Sequence, residues 1–117
     1  MNPGDPFRPA AGMFTISAPI SSPPVGVNYQ GGSTNLNEGG DLQMTFYNPG
    51  PNDVFVSWGI SAADAQAKAV VPTSSPQNVV AVPHGSLVSY TFTRVAFFSA
   101  IALVTTQTIY CHGGMGS

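Results

Sequence analysis

Charge is what this sequence has least of. Of its 117 residues, three are Lys or Arg and five are Asp or Glu, so 7% are charged, against roughly 25% in typical soluble domains. Three basic residues cannot lay down the positive footprint that a phosphate backbone requires, so nucleic acid is not an expected partner. A disordered chain would be polar and charged, and this one is neither. Freely diffusing monomers keep charges of both signs on their surface. Here Ser, Thr, Asn, Gln and backbone must make the polar surface, which costs little to desolvate and suits packing against other proteins.

Cysteine is nearly absent as well. Cys111 stands alone, so no intrachain disulfide framework exists. The longest apolar stretch, "VAFFSAIALV" at 95–104, is far short of the roughly 20 residues that span a bilayer. No membrane partner is expected, and no basic segment followed by an apolar one opens the sequence, so synthesis in the cytoplasm is expected.

Chemistry-bearing patterns are equally sparse. Cys111 and His112 are adjacent, and in a strand they point to opposite faces, whereas a nucleophilic Cys–His pair must converge. His84 lies in the turn-like "PHGS" and shares no C-x-x-C or H-x-x-x-H spacing with another ligand. Glu38 and Asp41 flank a Gly-Gly pair in "NEGGD", without the calcium-loop pattern of alternating oxygen ligands. There is no G-x-S-x-G elbow. No catalytic residue, metal or cofactor is expected.

What the chain does have is alternation. "DLQMTFYN" (41–48) puts Leu42, Met44 and Phe46 on one side and Asp41, Gln43, Thr45 and Tyr47 on the other. Tyr47 is therefore an aromatic opposite an apolar face. "MFTISAPI" (13–20) alternates through Phe14, Ile16 and Ala18, and "VGVNYQ" (25–30) through Val25, Val27 and Tyr29. The turn "NPGPND" (48–53) leads into "VFVSWG" (54–59), read as the partner strand of 41–48. "NVVAV" (78–82), "LVSYTFTR" (87–94), "FFSAIAL" (97–103) and "QTIYCH" (107–112) continue the pattern. "ISAADAQAKAVVP" (60–72) is ambiguous. Its alanines and the Ser61–Asp64 capping pair favour helix, but Pro72 follows soon after, so it reads as loop or one helical turn.

About eight short strands with turns roughly every 8–12 residues predict an all-β fold, a sandwich or barrel of antiparallel sheets. Ahead of it, "MNPGDPFRPAAG" (1–12) carries Pro3, Pro6 and Pro9, which bar helix and central strand. The chain divides into this extended arm, 1–12, and one domain, 13–117. A pre-extended arm loses little entropy on docking, so a partner is expected to hold it, with Phe7 and Phe14 as apolar anchors and Arg8 meeting a carboxylate.

From Tyr47 onward the succession "YNPGPNDVFVSWG", an Ala-rich stretch, "VVAVPHGS", "SYTF", "FFSAIAL" and "HGGMG" resembles small β-sandwich virion proteins of tailed bacteriophages, of the capsid decoration or cement type. The likeness covers roughly the last 70 residues and lies in pattern and turn placement. It implies a jelly-roll-like sandwich and a non-enzymatic subunit on the capsid surface, made in the host cytoplasm. It also implies the major capsid protein as partner and a dimer or trimer. Phe7, Arg8, Phe14 and Tyr47 are the candidate partner contacts. The alternatives are a head–tail or tail component, and a carbohydrate-binding sandwich with exposed aromatics around Trp58 or Tyr47.

Overall fold

The structure, a computed structural model, describes residues 8–9, 13–21, 23–28, 41–93 and 97–115, with the side chains of Arg8, Pro9, Asn28, Asp41, Leu42, Thr93, Gly114 and Met115 outside the description. The strands are β1 (Arg8–Pro9), β2 (Phe14–Ala18), β3 (Val27–Asn28), β4 (Asp41–Asn48) and β5 (Val54–Gly59), followed by helix α1 (Ala62–Lys68). Then come β6 (Val79–Val82), β7 (Ser86–Thr93), β8 (Phe97–Ala102) and β9 (Gln107–Met115).

They form two antiparallel sheets, as the alternation predicts. One runs β2-β9-β4-β7, with β1 pairing along the same edge of β9 as β2; the other runs β3-β8-β5-β6. Pairing β2 with β9, β3 with β8, β4 with β7 and β5 with β6 is one long hairpin rolled up. The β4–β9 and β5–β8 pairings close the roll. That is the jelly-roll arrangement of a double-sheet sandwich. Within the arm, Arg8 and Pro9 pair with Met115 and Gly114 of their own chain, and β1 sits at a sheet edge, where proline is tolerated.

The core lies between the sheets. Phe46 and Phe92 from one sheet meet Phe98 from the other at centroid distances of 6.0 and 5.1 Å, both edge-on. Trp58 packs on Phe92 at 5.3 Å. Ile16, Met44, Val54, Val56, Val82 and Ile109 complete the fill. Edge-to-face aromatic contacts add to the large apolar area these rings bury.

Three sequence expectations change. β4 and β5 are not a hairpin, because they lie in different sheets. The 49–53 segment instead arches over the end of the sandwich. Asn48 accepts the Gly50 N–H and donates to the Asn52 and Val82 carbonyls, and Leu103 N–H donates to the Asp53 carbonyl. Backbone groups committed to these partners are unavailable to a hairpin ladder, and an arch wants the same Pro, Gly and Asn that a hairpin does.

The ambiguous alanine segment is a seven-residue helix. Ser61 Oγ accepts Asp64 N–H at 3.1 Å, and the Asp64 carboxylate accepts Ile60 N–H, also at 3.1 Å. A helix this short is marginal alone; here Ala65 and Ala69 are buried against the outer face of the β3-β8-β5-β6 sheet. The approach is close enough that a Cβ at Gly59 would lie 2.6 Å from Ala65 N. The alternating alanines are a packing surface for a helix, not a strand.

Finally, the strand expected over 25–30 starts only at Val27, and residues 29–30 lie outside the described residues. Gly26 N–H donates to Ala62 O of α1, not to a strand, and Val25 is 60% exposed. Pro23 and Pro24 offer their carbonyls to Gln66 and Ser99. This segment and α1 together roof one sheet.

Candidate functional site

With one sheet roofed, no described element packs over the outer face of the other. Alternation along β4 buries Met44, Phe46 and Asn48 and turns Gln43, Thr45 and Tyr47 outward. Alternation along β9 buries Ile109, Cys111 and Gly113 and turns Thr108, Tyr110 and His112 outward. The register aligns these positions into rows. Thr15, Tyr110, Tyr47 and Leu87 form one row across β2, β9, β4 and β7. The tyrosine rings lie 6.2 Å apart at 30°. Leu87 is 68% exposed, Tyr47 43% and Tyr110 37%.

The neighbouring row is His112, Thr45 and Ser89, with the Thr45 and Ser89 hydroxyls 2.9 Å apart. Beyond it come Gln43 and Thr91. Among the described side chains of this face none carries a formal charge at neutral pH. The described charges sit elsewhere: Asp64 and Lys68 pair at 3.2 Å on α1, and Asp53 is in the arch.

At that end of the sandwich Asp53 Oδ1 accepts from His84 twice, from N–H at 2.9 Å and from Nδ1 at 2.6 Å. A carboxylate only accepts, so Nδ1 is the donor. These hydrogen bonds, the backbone one foremost, hold the Asp53 carboxyl below its ordinary value. The same end is tied by Gly85 N–H to the Asn48 carbonyl at 2.7 Å and by Asn52 to Thr105.

Of the sequence-predicted contacts, Tyr47 is where its alternation puts it, on the open face. Phe14 faces the other way, half-buried against the core of its own sandwich. Phe7 and the Arg8 side chain fall outside the described residues, as do Glu38 and the Asp41 side chain of the acidic Gly-Gly loop. Trp58 packs inward on Phe92, which leaves the tyrosine pair as the aromatic platform.

Two features of the site emerge only from the fold. Tyr110 joins Tyr47 only once the register is known, although its outward place follows from "QTIYC". The Asp53–His84 pair spans 31 residues and had no local signal.

Cys111 and His112 point to opposite sides of β9, as adjacency in a strand requires. The thiol is buried in the core, and desolvation pushes its pKa well up. Among the described residues no group of three or more His, Cys, Asp or Glu is placed to hold a metal ion. No helix of the described residues is long and apolar enough to cross a membrane.

No protein-family model and no curated protein sequence matches this chain. The fold is similar to a solved structure from Bacillus endospore appendages, described as a novel family of disulfide-linked pili. The likeness takes in 100% of this chain and 95% of that one, with a TM-score of 0.52 and 12% sequence identity. The shared property is the fold.

Proposed function

We propose that this chain is a non-enzymatic structural subunit that works packed in a larger protein assembly. The observation that carries the reading is the segregation of the surface. One sheet is roofed by α1 and the 23–26 segment, and the other presents a face centred on Tyr47 and Tyr110 over which no described element packs and on which no described side chain is charged. Burying such a face costs no ion desolvation, and aromatics ringed by hydroxyls are favoured at the centre of interfaces. The Asp53–His84 pair and the buried Cys111 are placed to support structure.

The finer reading follows the sequence resemblance: a decoration or cement subunit bound to the major capsid protein on the outside of a tailed-phage particle. A fibre subunit is the second reading, favoured by a fold likeness to a pilus protein that spans the whole chain. Here the chemistry differs from that neighbour's description. Linking each subunit covalently to neighbours on both sides takes more than one thiol, and these 117 residues hold one, which is buried. In the fibre reading, disulfides therefore do not run from subunit to subunit through the polymer of these 117 residues.

Purified particles decide between these readings. Quantifying the chain against the major capsid protein is expected to give about one copy per one or a few capsid subunits. A handful of copies per particle points to the tail or portal, and absence from particles overturns the virion reading. Filaments that dissociate in denaturant without reductant would support the fibre.

A further inference from the structure

We infer that the occupant of the open face is a second copy of this chain, joined face to face over the Thr15–Tyr110–Tyr47–Leu87 row. The inference rests on the structural-subunit reading and names the partner of that same surface.

Shape is the first argument. All sheets share one hand of twist, and two twisted sheets pack aligned at about −30° with their side chains interdigitating. The best geometric match for this face is therefore another sheet face of the same curvature, which a copy supplies. The same packing already forms the sandwich interior.

Charge is the second. In a two-fold contact the same patch meets itself, so any fixed charge near the axis meets its own sign. The described side chains of this face carry none, whereas Asp64, Lys68 and Asp53 lie on the helix and the arch. An axis in the interface plane, over this row, sets the tyrosines of one copy on those of the other. Each ring then has an apolar surface to cover and a hydroxyl left to pair with Thr15, Thr45 or Ser89.

Area is the third. Four strands at about 4.8 Å and about eight residues at about 3.3 Å make a face of roughly 19 by 26 Å. That is about 500 Å² before corrugation, of the same order as the roughly 800 Å² per partner of a standard interface. A dimer of that size uses the whole face.

The test is sedimentation velocity on the full chain across a micromolar-to-millimolar series, comparing the natural sequence with Tyr47→Glu/Tyr110→Glu. Leu87→Glu at the exposed edge is a second variant, and Ile60→Glu, on the roofed side and 68% exposed, is the control. The natural chain and the control should dimerise. The face variants, with circular dichroism unchanged, should dissociate at least about tenfold more readily because like charges now oppose each other. A natural chain that stays monomeric throughout overturns the inference, as does a dimer that the folded face variants leave intact. Particle quantification reads the other question separately: a dimer absent from every particle refutes the virion reading and leaves the interface standing.

Discussion

Ser57 Oγ donates to the Ala65 carbonyl at 2.6 Å, and both residues are fully buried. This one bond fastens α1 to the sheet it roofs. It needs a small side chain with a donor in the middle of β5, because Gly59 two residues on lets the helix approach so closely.

Ser57→Ala should therefore destabilise the fold by about 1–3 kcal/mol, since it leaves a buried carbonyl without this donor. Thermal unfolding followed by far-ultraviolet circular dichroism reads the loss as a drop of several degrees. A variant within about 0.5 kcal/mol of the natural chain would show that α1 is held by apolar contact alone.

Cys111 sits in the core, its thiol kept protonated by desolvation. The thiolate is the reactive form, so a thiol reagent at neutral pH should label the folded chain only as fast as it opens. In denaturant, labelling should be complete and fast. Rapid labelling of folded protein at the rate of an unstructured thiol contradicts this placement.

Much of this was legible in the sequence, and the pattern of what was not is physical. Period-2 alternation correctly assigned the inward sides of β2 and β4 and the outward side of Tyr47, because side-chain direction in a strand is a local property. Which strands pair is not local. The Pro-Gly-Pro segment after Asn48 suits a hairpin and an arch equally, and only the buried Asn48 network selects the arch. The alanines of α1 alternate like a strand, and their helix is decided by the glycines and Ser57 beneath them. Of the open-face row, Tyr47 was visible; Tyr110 and Leu87 joined it through register.

Acid should weaken the fold through Asp53 and Asp64. Both carboxyls are held below their ordinary value of 3.8 when folded, Asp53 foremost by the His84 N–H and Asp64 by the Ile60 N–H. A carboxylate with a depressed folded pKa contributes stability that is complete above its unfolded pKa and fades as pH falls through the folded one. The loss therefore falls below about pH 4. Asp53→Asn/Asp64→Asn should lower the melting temperature at pH 6 and flatten its fall between pH 6 and pH 3. An equally steep fall in the double variant would assign acid sensitivity to other carboxyls.

Asn48 carries the end of the sandwich, and its chemistry predicts a pH signature of its own. Fully buried, it donates to Asn52 O at 2.7 Å and Val82 O at 2.9 Å and accepts from Gly50 N–H at 2.9 Å. Asn48→Leu keeps the volume but strands these groups, and should cost about 3 kcal/mol. Asn48→Asp retains the acceptor for Gly50, loses both donors and buries a carboxylate against two carbonyls, so at neutral pH it should be at least as damaging. Protonating that carboxyl restores one donor. The gap between Asn48→Asp and the natural chain should therefore narrow as pH falls from 7 to 4, while the gap for Asn48→Leu stays level. Denaturant unfolding at the two pH values measures both gaps. If Asn48→Asp tracks Asn48→Leu at both, the side chain acts by filling space and the arch is held by its other hydrogen bonds.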